Sequence, residues 1–188
     1  MTMISTSDFK NGMCLLLDDG LFQVVEFQHV KPGKGGAFVR TRLRNLRTNA
    51  VTERTFRAGE KMEQAVLDRR KLNFLYNQGD EYTFMDMETF DQISVPRTLL
   101  GDSVKYLKEE TEVQVMRHNN QVIGVDIPLF MELEVVEADP GLRGDTASGG
   151  SKPARLETGA VVQVPLFIGV GERIRVDTRT DTYLERAK

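Results

Sequence analysis

Along most of this chain apolar and polar residues alternate with a period of two, in short runs punctuated by glycine, asparagine and aspartate. Successive side chains of a strand point to opposite faces, so this alternation predicts half-buried strands. Cys14–Leu17 and Leu21–Phe27 flank an Asp18-Asp19-Gly20 turn and predict a hairpin. Three more hairpins follow: Ala37–Leu46 with Val51–Phe56, Lys71–Tyr76 with Tyr82–Asp86, and Glu112–Arg117 with Gln121–Asp126. Leu129–Val136, Val161–Ile168 and Arg173–Thr178 read as further strands. Helical spacing is scarce. Pro96–Leu107 places Leu99, Leu100, Val104 and Leu107 at helical intervals, with Gly101 weakening the pattern, and Met62–Val66 adds a turn.

The fold class expected is all-β, as three small barrels in a row. Breaks fall near Glu60–Ala65, at Asp126-Ile127-Pro128, and at the long Pro140–Pro153 loop inside the last third. The domains expected are residues 1–64, 65–127 and 128–188, each near the lower size limit for an independent core. No internal sequence repeat is evident.

Composition changes this picture little. A 188-residue chain with 40% hydrophobic and 28% charged residues fits a globular protein. No apolar run is long enough to cross a bilayer, and the N-terminus lacks a basic segment followed by an apolar one. No membrane partner is expected. The single cysteine, Cys14, has no internal disulfide partner, which favours a cytoplasmic location.

Charge changes it more. The net charge of −3 argues at first against nucleic acid. Its distribution does not: residues 1–64 carry ten basic and seven acidic side chains, whereas residues 65–127 carry seven and eleven. Eight of the 27 residues from Lys31 to Arg57 are Lys or Arg, and only Glu53 is acidic. In Phe38-Val39-Arg40-Thr41-Arg42-Leu43-Arg44, strand geometry puts Arg40, Arg42 and Arg44 on one face and Val39, Thr41 and Leu43 on the other. One face can pack while the arginine row meets phosphate. Ahead of it, Lys31-Pro32-Gly33-Lys34-Gly35-Gly36 reads as a slim hairpin tip that presents Lys34.

Catalytic chemistry is thin. His29 and His118 are the only histidines, so with one cysteine neither a Cys/His metal site nor a Cys–His dyad assembles easily. His118 reads as a polar turn residue. His29 supports the tip, touches RNA, or simply ends a strand. The tip is not a Walker loop, because the G-x-x-x-x-G-K-[ST] spacing is absent. Lys34 also lacks the apolar neighbours that would activate it as a nucleophile. Neither an enzyme nor a cofactor or metal is expected.

A second glycine-rich stretch, Pro140–Pro153, contains Gly144, Asp145 and Thr146. It is either a surface loop or a recognition loop. Near the end, Tyr183 and Arg186 stack and pair on RNA, or finish the last barrel.

Several motifs, in order and spanning nearly the whole chain, together resemble the bacterial elongation factor P family. They are Lys31-Pro32-Gly33-Lys34-Gly35-Gly36-Ala37-Phe38-Val39, Val51–Phe56, Gly141–Gly150 with Lys152-Pro153-Ala154, Leu156–Phe167, and Val176-Asp177-Thr178-Arg179-Thr180. The resemblance implies an SH3-like (KOW-type) first domain, two OB-fold domains and an elongated, tRNA-like shape. It implies a translation elongation factor that binds the 70S ribosome between the peptidyl-tRNA (P) and exit sites, touches ribosomal RNA, and relieves stalling at consecutive prolines. Lys34 aligns with the family's tip residue, which approaches the CCA end of the peptidyl-tRNA and is often extended by a lysine-modifying enzyme. Gly144-Asp145-Thr146 falls where the family's last domain reaches towards the exit-site codon. A monomer is expected. Two other readings stay open: a general single-strand RNA-binding OB protein, against which the scattered aromatics count, and a paralogous factor with another ribosomal role.

Overall fold

A computed structural model describes residues 1–140 and 150–188. Sixteen strands, one short helix and two 3-10 turns form among these residues, and the strands gather into three sheets. The first holds β1 (Thr2–Ser5), β2 (Cys14–Leu17), β3 (Gly20–Val30), β4 (Phe38–Asn45), β5 (Val51–Arg57) and β6 (Lys61–Gln64), in the order β1-β6-β2-β3-β4-β5. The second comprises β7 (Asp68–Gln78), β8 (Glu81–Met85), β9 (Gln92–Pro96), β10 (Glu112–His118) and β11 (Gln121–Asp126), ordered β11-β10-β7-β8-β9. The third is built from β12 (Phe130–Ala138), β13 (Ser151–Leu156), β14 (Val161–Pro165), β15 (Arg173–Asp177) and β16 (Thr182–Arg186). It closes into a barrel, β12-β13-β14-β16-β15.

The second and third sheets share a topology that no sequence repeat announced. In both, the first strand pairs with the second and the fourth, the second with the third, and the fourth with the fifth. The third sheet adds a parallel contact between its third and fifth strands, Gln163 opposite Thr182, and so closes. Five strands in this arrangement are the partly open barrel of an OB-fold.

The chain divides into two compact units, one of residues 1–69 with 115–124 and the other of residues 70–114 with 125–188. The first is centred on Phe9, Leu15, Phe22, Val24, Val39 and Leu43. Phe9 meets Phe56 and Phe27 edge-on, with ring centroids 5.8 and 6.0 Å apart, a geometry that aromatic quadrupoles favour. The core of the second unit lies inside the closed barrel, where Leu133, Val135, Leu156, Val164, Ile174 and Val176 are fully buried.

The expected Pro140–Pro153 loop gives way to β13 from Ser151, and two expectations of helix or turn fail for identifiable reasons. Pro96–Leu107 is not one helix: a single α-turn, α1 (Arg97–Leu100), gives way to a 3-10 stretch over Gly101–Tyr106. Gly101 adopts φ 56° and ψ −137°, outside the helical region and in the positive-φ range that glycine tolerates best. Met62–Val66 is not a turn, because residues to Gln64 pair with β1 and β2, elements distant in sequence.

Candidate functional site: the β3–β4 hairpin

Strands β3 and β4 form a long antiparallel hairpin, paired from Phe22 opposite Asn45 to Val30 opposite Phe38. The register shifts between Val24 and Glu26, so the extra residue turns Glu26 outward and Phe27 towards Phe9. Along β4, Val39, Thr41 and Leu43 are completely buried while Arg40, Arg42 and Arg44 are exposed. The strand thus presents a row of three guanidinium groups fixed by the pleat of a packed sheet. Arg40 lies near Glu53, and Arg42 near Glu26.

Beyond the paired strands, Lys31, Pro32, Gly33, Lys34, Gly35 and Gly36 are all exposed. Among the described residues, Lys31 and Lys34 make no hydrogen bond or ion pair. Gly35 turns the chain at φ 109°, which L side chains rarely adopt. Gly33 and Gly36 have no such φ, and a Cβ at either would meet nothing within 4 Å. The fold itself therefore does not demand glycine at those two positions. His29, exposed at the penultimate position of β3, rests its ring edge-on against Phe27 with centroids 5.7 Å apart. It prolongs the aromatic line from the core towards the tip.

The C-terminal candidates lie in the other unit. Tyr183 is half-buried against the barrel core. Arg186 pairs with Glu172 at 3.0 Å, and its guanidinium sits 4.7 Å from the centre of the Phe167 ring. Both residues therefore have contacts within the barrel. Gly144, Asp145 and Thr146 lie outside the described residues.

Sequence reasoning missed a joint within this second unit. Tyr106, from the 3-10 stretch, is buried in the barrel core and donates its hydroxyl hydrogen to Asp181 Oδ1 at 2.5 Å. Lys105 Nζ donates to the other Asp181 oxygen at 2.8 Å, and Lys108 Nζ reaches Glu157 at 3.2 Å. Burial and the adjacent Asp181 carboxylate push the Tyr106 phenol far above its ordinary range. Burial works against ionised Asp181, yet Lys105 and Tyr106 outweigh it and hold its pKa down. Asp177 also stays low, held by a two-pronged contact with Arg179 at 3.0 and 2.7 Å. That contact gives a structural reason for the Asp177-Thr178-Arg179 motif.

Among the described residues, no group of three or more His, Cys, Asp or Glu is placed to hold a metal ion. No helix among them is long and apolar enough to cross a membrane.

A basic hairpin on a small β-domain, followed by sheets with OB topology, defines a class of proteins built from small β-barrels. Comparison with known proteins narrows the class. The elongation factor P KOW-like domain matches residues 5–62, its OB domain 67–125 and its C-terminal domain 131–186. Elongation factor P of Pelotomaculum thermopropionicum is 58% identical over 184 residues, covering 98% of this chain and 100% of that protein. The Moorella thermoacetica factor is 56% identical over 185 residues, with the same coverage. Among solved structures, a eukaryotic translation initiation factor 5A from Methanococcus jannaschii aligns with a TM-score of 0.52 at 24% identity, over 66% of this chain and 95% of that one. A translation initiation factor 5A family protein from Naegleria fowleri aligns with a TM-score of 0.54 at 17% identity, over 67% and 98%. These two show a shared fold. The chain belongs to the elongation factor P family, and it is a translation elongation factor with a KOW-like first domain and OB-fold architecture after it.

Proposed function

We infer that this factor binds the 70S ribosome between the peptidyl-tRNA and exit sites and speeds peptide-bond formation at consecutive prolines. The observation that carries this reading is the hairpin: an exposed Lys34, without an ion-pair partner among the described residues, beyond a paired strand ladder whose flank bears Arg40, Arg42 and Arg44. Proline is a poor nucleophile here and restricts the nascent chain, so the cost of the step is largely one of orientation. A factor that holds the CCA end of the peptidyl-tRNA in a productive pose lowers that cost without donating a catalytic group. The ribosome remains the catalyst. Phosphate and sugar contacts from the arginines position the hairpin rather than read sequence.

On this reading Gly33 and Gly36 are glycine because nucleic acid approaches them closely, since nothing within the fold crowds them. Lys34 is the site for an extending modification by a lysine-modifying enzyme, with Lys31, Pro32 and Gly35 shaping the tip. His29 supports the base of the tip loop and touches RNA from there. Gly144, Asp145 and Thr146 reach towards the exit-site codon, and Tyr183 and Arg186 contact RNA from the last barrel. The domains are 1–64, 65–127 and 128–188, and the factor acts in the cytoplasm as a monomer.

Replacing Arg40, Arg42 and Arg44 together with Gln tests the reading. The variant should fold, bind ribosomes more weakly, and show a flatter salt dependence because fewer counterions are released. It should also slow synthesis through three consecutive prolines. Unchanged affinity and salt slope would make the row ordinary solvated surface.

A further inference from the structure

The β3–β4 hairpin treats its cations in two ways. At the tip, Lys31 and Lys34 meet no carboxylate among the described residues. Along the shaft, Arg40 Nε lies 3.5 Å from Glu53 Oε1, and Arg42 Nη1 lies 3.4 Å from Glu26 Oε2. Glu26 on β3 and Glu53 on β5 are the two residues directly opposite Arg42. Arg42 therefore stands between carboxylates on both neighbouring strands.

Folding does not explain this arrangement well. All four side chains are more than half exposed, and exposed ion pairs typically contribute only about 0–1 kcal/mol each. Their larger effect is on the surface potential, because two of the three positive charges on that face are offset at short range. Any phosphate approaching Arg40 or Arg42 competes with a carboxylate already in place.

We propose that Glu26 and Glu53 are specificity-determining residues, which screen the arginine row from free RNA so that it engages only when the tip is already held. This rests on the ribosomal reading of the hairpin. A bare row would bind any phosphate backbone, and cellular RNA would then compete with the intended site. Once the tip is docked, nearby phosphates stand at a high effective concentration and exchange with the glutamates readily. The screen costs little at the right site and much everywhere else.

The test uses a labelled single-stranded oligouridine titrated with the intact protein over a range of salt concentrations. Three proteins are compared: the parent, Glu26→Gln/Glu53→Gln, and Asp18→Asn/Glu109→Gln. The last makes the same charge change at two exposed carboxylates that form no ion pair with the row among the described residues. The row variant should bind about threefold or more tighter than the control, with a salt slope steeper by about one to two. Glu53→Gln alone should give part of that gain. Adding Arg40→Gln, Arg42→Gln and Arg44→Gln should abolish it. A row variant that binds no tighter than the charge-matched control overturns the proposal. Because the probe is free RNA, that result leaves the ribosomal reading standing. Failure of the ribosomal reading shows separately, as ribosome binding indifferent to the arginines.

Discussion

Lys34 and Lys105 are the same residue type in opposite situations. Lys34 is exposed on a glycine-flanked tip and bonds to nothing among the described residues. Lys105 is tied to Asp181, beside a phenol buried in the closed barrel. The joint spends its polar groups inside the protein, where they fix one segment against another. The tip keeps its amine free of any partner among the described residues, as the proposed contact with a second molecule requires.

The sharpest way to break this contrast is at the joint. Tyr106 is 1% exposed and central to the barrel core. Tyr106→Ala should destabilise the protein by about 3–5 kcal/mol, the usual cost of deleting a buried aromatic side chain. Tyr106→Phe keeps the packing and removes one hydrogen bond to a charged acceptor, so about 1.5–3 kcal/mol is expected. Urea unfolding measures both. Equal losses in the two variants would mean that the hydroxyl, not the ring, holds the joint.

Acid should sharpen the contrast further. Glu157 is held low despite its burial, by the Glu134 backbone N–H and by Lys108, and Asp181 is held low by Lys105 and Tyr106. Both carboxyls bind protons more weakly folded than unfolded. Their stabilisation is therefore complete at neutral pH and disappears as the pH falls from the ordinary carboxylate range, about 4, to below their lowered values. The urea midpoint should drop over that interval, and by less in Tyr106→Phe, where Asp181 has lost one of the bonds that lower it. A midpoint that stays level through the same interval would show that these pairs contribute nothing to folding.

How much of this was legible in the sequence depended on the range of the interactions. The alternation in β4 was readable because one strand face is fully buried and the other exposed, so Val39, Thr41 and Leu43 separate cleanly from the arginines. Strand β6 was not, because its neighbours β1 and β2 come from the far end of the first sheet's sequence. Strand β13 was hidden by Pro153 and by Lys152, a lysine at a buried position whose Nζ reaches out to donate to the Asp139 carbonyl at 2.6 Å. The Tyr106 joint was invisible for the same reason as β6: Asp181 is 75 residues away. At the site, the tip and the arginine row could be read locally. The carboxylates beside the row could not, since Glu26 and Glu53 lie on different strands and meet Arg42 only through the sheet register.

The most direct measurement compares Lys34→Ala with the parent on a template encoding three consecutive prolines, using protein purified from its own cell. Full-length synthesis is read alongside the urea midpoint. Lys34 is exposed, so Lys34→Ala should leave stability within about 0.5 kcal/mol of the parent while losing most of the stimulation. Lys34→Arg keeps the charge but changes its reach and blocks a lysine-specific extension, so it should lose much of it too. A Lys34→Ala protein that carries ribosomes through the prolines as fast as the parent does would contradict the account.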